Sequence, residues 1–211
     1  MKTLFQVFRK TSFQIREENS VNFEKEIIIF LQSLRTPFLD GVFKVVSYFF
    51  DYPLVIALGI ILFACRKWKQ GVFFLILEAV GWATQTTLKR IIMRPRPYLT
   101  HPEIENILEA SSSSFPSGHS VTCMMAVVIL FVMIKDSNLS KRNKGFLYAG
   151  LGLMLFTCLI NRMYLGQHYI TDCLGAFIIA LVIGAIIIKF FYYRSYTKIK
   201  EEKGGYEEKK A

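Results

Sequence analysis

Three short stretches of this 211-residue chain carry residue types suited to chemistry on an anion. KRIIMRPRP, from Lys89 to Pro97, sets a lysine ahead of Arg96 and Pro97 with six residues between. FPSGHS, from Phe115 to Ser120, puts Ser117, Gly118 and His119 side by side. NRMYLGQHYITD, from Asn161 to Asp172, separates Arg162, His168 and Asp172 by five and then three residues. Alone, each has an ordinary explanation. The first reads as a basic helix end reaching for headgroups. The second reads as a Ser-capped helix start. The third reads as a surface histidine near a capping aspartate. Two features exceed those explanations. Gly118 and His119 fall in a first helical turn, where glycine disfavours helix but lets a ligand approach the backbone N–H groups. His168 and Asp172 lie four apart, so one helical turn puts them on one face.

The elements that hold these stretches are long apolar runs. A membrane-spanning helix needs about 20 mostly apolar residues. Five stretches qualify once their flanks are included: from near Ser47 to Cys65, Gly71 to Leu88, Ser117 to Ile134, Gly145 to Ile160, and from about Ile170 to Ile188. Between them lie the short basic segments RKWKQ (Arg66 to Gln70) and KDSNLSKRNK (Lys135 to Lys144), and beyond the last comes another basic stretch. The positive-inside rule puts these three on the cytoplasmic side. The connections Lys89 to Pro116 and Asn161 to Tyr169 then face outward, and they bring all three clusters to one membrane face. Glu78, Trp82, Gln85 and Lys89 follow one another at steps of four and three, a single helical stripe. An acidic residue within a span is costly, so that stripe should face the bundle interior and turn Lys89 inward.

Residues 27–50 are apolar but interrupted by Arg35, Pro37, Asp40 and Lys44, and Pro37 should end or kink a helix there. They read as two amphipathic pieces at the interface, or as a sixth, poor span that would put the basic N-terminus in the cytoplasm. The expected organisation is an N-terminal amphipathic segment (1–46), a membrane-embedded core (47–192) and a basic, then charged, cytoplasmic tail (193–211). The fold class is all-α, a polytopic membrane bundle of five transmembrane helices, or six on the second reading. Ser111 to Ser114 reads as flexible loop.

Composition agrees. The chain is 53% hydrophobic and 20% charged, with a mean hydropathy of +0.36. The charges gather between apolar runs, which argues against a soluble globular enzyme and against disorder. The net charge of +10 flanks apolar segments without forming one stripe, so anionic lipid is a better partner than nucleic acid. Cys65, Cys123, Cys158 and Cys173 form no CxxC pair and read as small core residues, indicating neither disulfides nor zinc. Arg9, Lys10 and Arg16 break the first apolar stretch, so it does not read as a cleavable signal peptide.

Lys89, Arg96, Arg162 and a histidine beside one helix N-terminus would repel one another unless an anion sat between them, and phosphate fits best. Together the spacings resemble the type-2 phosphatidic acid phosphatase family, which shares its site with vanadium haloperoxidases. The family pattern is K-x6-RP, PSGH and SR-x5-H-x3-D. Here it is supplied from Lys89, Pro116 and Arg162, with Asn161 where the family usually has serine. The resemblance covers about Ser47 to Lys189.

The resemblance implies roles. His168 is the nucleophile, forming a phosphohistidine that water hydrolyses. Asp172 fixes its tautomer, and His119 protonates the leaving oxygen. Lys89, Arg96, Ser117, Gly118 and Arg162 hold the phosphate oxygens. No metal or other cofactor is expected, and His101 is a bystander. The partners expected are a lipid phosphate substrate and membrane lipids, with the site on the extracytoplasmic face of the cell membrane. Polyprenyl diphosphate, phosphatidylglycerophosphate and phosphatidate are the leading substrates. Lipid A phosphate, diacylglycerol diphosphate and sphingoid phosphates stay open, as does the oligomeric state. A haloperoxidase is remote, since those enzymes are soluble. The alternative is a non-enzymatic phospholipid-binding or transport protein.

Overall fold

The computed structural model describes residues 23–108 and 113–189. The expected tail from 193 onward and the basic N-terminal stretch lie outside them. Among the described residues the regular structure is helical: α1 (23–33), α2 (Pro37–Phe49), α3 (Tyr52–Ala64), α4 (Trp68–Ile92), α5 (Pro97–Thr100), α6 (Gly118–Lys135), α7 (Lys141–Tyr164) and α8 (Ile170–Ile187). The fold is an all-α helical bundle, as the apolar periodicity requires.

The centre of the bundle is α6, which packs against α4, α7 and α8. Its residues Cys123, Met125, Ala126 and Ile129 are fully buried, and Leu77 of α4 and Ala176 and Ala180 of α8 close around them. The outer faces of the bundle remain apolar. Ile60, Leu153, Phe156 and Ile178 are all more than half exposed. Lipid, not water, suits such a surface.

Four described helical segments are long and apolar enough to cross a membrane, and a fifth is counted if α2 and α3 form one bent span. The run expected to cross from near Ser47 to Cys65 is not one helix. It breaks at Phe50 and Asp51, and α2 and α3 meet at a bend of 51°. Pro53 near the start of α3 explains the break, because its ring excludes a carbonyl from the preceding turn. Residues 27–50 are likewise interrupted. Pro37 opens α2, with Thr36 as N-cap accepting a hydrogen bond from the Leu39 N–H at 3.1 Å.

The chain alternates between two ends of the bundle. Helices α4 and α7 finish, and α6 and α8 begin, at the end where the three motif clusters meet. The connection Arg66–Lys67, and the connection Asp136–Ser140 with Lys135, Lys141 and Arg142 on the helix ends beside it, lie at the other end. Both N-terminal helices gather at the motif end. Along α2, the Asp40 carboxylate accepts from the Tyr164 hydroxyl at 2.7 Å and the Phe43 carbonyl accepts from Asn161 Nδ2 at 2.6 Å. Along α1, Gln32 exchanges hydrogen bonds with the Glu105 backbone, and Ile28 is buried against Ile104, Met163 and Tyr169. Of the cysteines, Cys123, Cys158 and Cys173 are buried as expected. Cys65 is exposed, because it caps α3 at the bundle end.

Candidate active site

Helix α4 ends at Met93, which takes the left-handed conformation with φ of 47°. Pro95 and Pro97 then keep Arg94 and Arg96 out of helix. Arg96 is 5% exposed, and its Nη1 donates to the Gln167 carbonyl at 3.1 Å and to Gln167 Oε1 at 2.9 Å. One turn before the end of α4, Lys89 Nζ donates to the Ser113 carbonyl at 2.7 Å.

Helix α6 begins at Gly118 with Ser117 as N-cap. The Ser117 hydroxyl accepts from the Ser120 N–H at 3.4 Å and from the Ser120 hydroxyl at 3.0 Å. A Cβ on Gly118 would lie 2.5 Å from Gln85 Oε1, so a larger residue there would have to displace the Gln85 side chain. The open first turn leaves backbone N–H groups without intrahelical partners beside His119.

Helix α7 ends through a glycine turn. Gly166 has φ of +71°, and the Gln167 N–H returns to the Arg162 carbonyl at 3.1 Å. This turn carries His168 back beside Arg162. The Arg162 side chain is almost fully buried, donating from Nε to Asn161 Oδ1 at 3.0 Å and from Nη2 to Ser47 Oγ and Asn161 Oδ1. Asn161, the departure from the family serine, therefore acts as an acceptor that orients Arg162.

His168 is 3% exposed. Its Nε2 lies 3.4 Å from Arg96 Nη1, and its Nδ1 lies 3.4 Å from Ser114 Oγ and 3.7 Å from Asp172 Oδ2. An arginine N–H only donates, which assigns the lone pair to Nε2 and the ring proton to Nδ1. Burial pushes the His168 pKa down to about 4, Asp172 partly opposes this, and the Arg96 and Lys89 charges reinforce it. The ring is therefore neutral at ordinary pH.

Asp172 is fully buried at the third position of α8. Its Oδ2 accepts from the Tyr169 N–H at 2.9 Å and from Ser114 Oγ, and its Oδ1 accepts from Arg94 Nη1 at 2.6 Å. The contact expected between Asp172 and His168 runs through Ser114, because 3.7 Å is too long for a direct hydrogen bond.

A cavity of about 850 Å³ collects Lys89, Arg96, Gly118, His119, Arg162 and His168 on its wall. It continues along α4 past Gln85, Trp82 and Glu78, so the stripe expected to face the bundle interior lines this cavity, with Trp82 at its open side and 60% exposed. Ser117 and Asp172 stand behind the wall, and His101 is outside it. Its ring instead meets Tyr169 edge-on, with centroids 6.2 Å apart. His119 Nε2 is 3.9 Å from Asp51 Oδ2. Among the described residues no group of three or more His, Cys, Asp or Glu side chains is arranged to hold a metal ion.

Sequence reasoning passed over four contributors. Ser114, expected in a flexible loop, is fully buried, and its backbone N–H donates to the Arg94 carbonyl at 2.8 Å. Arg94 lies inside KRIIMRPRP but outside the Lys89–Arg96 spacing. Gln167 braces Arg96, and Ser47 braces Arg162 from 115 positions away. Only the position of Ser114 just ahead of FPSGHS could have drawn notice.

Comparison with known proteins gives a consistent result. The PAP2 superfamily model matches residues 70–196. Phosphatidylglycerophosphatase B of Bacillus subtilis is 29% identical over 163 residues, 74% of this chain and 77% of that protein. Undecaprenyl-diphosphatase BcrC of the same organism is 27% identical, covering 66% of this chain and 67% of its own. The crystal structure of a transmembrane PAP2-type phosphatidylglycerolphosphate phosphatase from Bacillus subtilis superposes with a TM-score of 0.71 at 26% identity, covering 89% of this chain and 94% of that one. LpxE of Aquifex aeolicus has the same fold, with a TM-score of 0.66 at 23% identity over 78% of this chain and 94% of its own.

Proposed function

The chain belongs to the PAP2 superfamily, and on that premise we propose that it is a multi-pass membrane phosphatase that transfers a lipid phosphate to His168 and then to water. The observation that carries this reading is the placement of His168, its Nε2 3.4 Å from Arg96 Nη1, in a cavity wall shared by Lys89, Arg96 and Arg162.

Nε2 attacks phosphorus and the bond to the lipid oxygen breaks, with the electron pair leaving on that oxygen. His119 gives that oxygen its proton. The imidazolium that forms keeps its Nδ1 proton on Ser114, with the Asp172 carboxylate behind it balancing the charge. Charge shifting among the phosphoryl oxygens meets Lys89, Arg96, Arg162 and the Gly118 N–H, donors already held in place by Ser113, Gln167 and Asn161. Water then attacks phosphorus as His119 takes its proton, and the P–Nε2 bond breaks with its electron pair returning to the ring, so that inorganic phosphate leaves and His168 is neutral again. Ser117 acts from behind, capping the helix that presents Gly118. No step requires a metal.

The cavity supports a lipid substrate. It runs from the basic cluster between α3 and α4 toward Tyr52, Val55 and Trp82, a route for apolar tails from the bilayer. The two Bacillus relatives are named for phosphatidylglycerophosphate and undecaprenyl diphosphate, which favours a glycerophospholipid phosphate or a prenyl diphosphate as substrate. The basic connections at the opposite end favour an extracytoplasmic site in the cell membrane. The deciding experiment is phosphate release from a panel of these lipids in EDTA, by detergent-purified protein beside His168→Ala. Release by the wild type alone supports the reading, and the rank order gives the substrate class. No release by folded wild-type protein would replace it with a binding or transport role.

A further inference from the structure

Helix α1 lies outside the 70–196 match to the family, yet one of its side chains is built into the back of the site. Glu24 is 3% exposed. Its Oε1 accepts from the Thr171 N–H at 2.8 Å and from the Thr171 hydroxyl at 2.6 Å, and its Oε2 accepts from Arg94 Nη2 at 3.0 Å. Arg94 continues the chain. Its Nη1 donates to Asp172 Oδ1 at 2.6 Å and to Thr171 Oγ1 at 2.7 Å, and its guanidinium lies 4.2 Å from the centre of the Tyr169 ring. Tyr169 and Thr171 flank the turn between His168 and Asp172. A carboxylate this buried is costly unless paired and fully hydrogen-bonded. Anchoring α1 alone would call for no arginine that also grips Asp172.

We propose that Glu24 and Arg94 are positioning residues for the phosphatase reaction. Glu24 fixes the Arg94 fork, and Arg94 occupies Asp172 Oδ1, so that Oδ2 stays aimed at Ser114 and the Nδ1 side of His168. The inference rests on the reading of His168 as nucleophile. It makes α1 part of the catalytic unit, although neither residue touches the cavity wall.

The pH dependence of kcat/KM separates this role from a merely structural one. The charged and titratable groups facing His168 are Lys89 from α4, Arg96 ahead of α5, His119 from α6, Arg162 from α7 and Asp172 from α8. Arg94→Gln removes a positive charge from Asp172, whose carboxylate then stabilises protonated His168 more strongly. The acid limb should move to higher pH. Glu24→Gln removes the negative charge that offsets Arg94, so the limb should move the other way. Arg94→Lys keeps the charge but loses the fork, and should lower kcat with little movement of the limb. Expected losses in kcat are about tenfold for Glu24→Gln and about a hundredfold for Arg94→Gln, the range carried by outer-shell hydrogen bonds. KM should hardly change.

Arg94→Gln alone strands Glu24 buried and unpaired, so the Glu24→Gln/Arg94→Gln double variant is measured as well. It should be no slower than Arg94→Gln, because Glu24 acts on the rate through Arg94, and its limb should return toward wild type, because the two charges removed have opposite signs. Limb midpoints do not depend on how much of the sample is folded, so partial misfolding cannot imitate opposed shifts. Unmoved limbs, shifts in the same direction, or losses that multiply in the double variant would overturn the proposal. If the wild type shows no release that depends on His168, the underlying reading fails instead.

Discussion

The two histidines of the cavity wall stand in contrasting surroundings. His168 is buried in the turn between α7 and α8, with Arg96 on one ring nitrogen and Ser114 on the other. His119 sits in the first turn of α6, its side chain 24% exposed, with Asp51 at 3.9 Å as its nearest carboxylate. The difference fits the two tasks proposed for these rings. A nucleophile must hold one nitrogen on the phosphorus line and keep its proton on the other, which demands partners on both sides. A proton donor must follow an oxygen that departs with a bulky lipid, which demands access and a looser hold.

Breaking the tight half should cost most. His168→Ala should lower phosphate release by on the order of 10⁴-fold or more while the protein still unfolds at a wild-type temperature. Activity near wild type would end the nucleophile assignment. With a pKa near 4 against 6.5 for an unburied histidine, His168 stays neutral through mild acid. The acid limb of kcat/KM should therefore fall through about pH 4, not 6.5. The same shift has a cost in stability. Below 6.5 the unfolded chain takes up a proton that the folded site refuses, so stability should decline as pH drops from 6.5 toward 4. A limb centred at 6.5 would contradict the burial of this ring.

The looser half gives a conditional loss. His119→Ala should slow a lipid phosphate by roughly 10²- to 10⁴-fold, but an aryl phosphate that leaves without a proton by much less. The alkaline limb should go with it. The aryl ester should not rescue His168→Ala. Equal losses on both substrates would remove His119 from the acid role.

Smaller changes sharpen the contrast. Ser114→Ala interrupts the bridge from His168 to Asp172 and should lower kcat about tenfold at unchanged KM, the worth of one hydrogen bond to a charged partner. Asp51→Asn should have the smallest effect, about threefold in kcat, because the two groups are 3.9 Å apart and the carboxylate is half-exposed, so the pair is weakly coupled. A larger loss at Asp51 than at Ser114 would reverse the comparison.

Much of the bundle was legible because apolar length reports where lipid must be met. The run from Ser117 to Ile134 became α6 (Gly118–Lys135), and the run from Ile170 became α8. Helix α4 extends beyond its apolar run at both ends, to Trp68 and Ile92, since hydrogen bonding continues past the last apolar residue. The bend at Phe50–Asp51 was not legible. Asp51 and Pro53 mark a candidate interruption, but neither sets the 51° bend that lets α2 lie against α7 while α3 turns into the bundle.

The site divides in the same way. Residue type and spacing alone determined that Lys89, Arg96, His119, Arg162 and His168 meet, because each closes or opens a span at one end of the bundle and their charges need an anion. Spacing could not say which groups would stand behind them. Glu24, Ser47, Arg94 and Ser114 are common residues in unremarkable positions, and each reaches the site through a long-range contact. Ser114 stands between His168 and Asp172, Ser47 meets Arg162, and Arg94 binds Glu24 and Asp172 together. Those assignments came only from the tertiary structure. A buried charge accepts whichever neighbour packing brings within hydrogen-bond reach, and no periodicity along the chain encodes that choice.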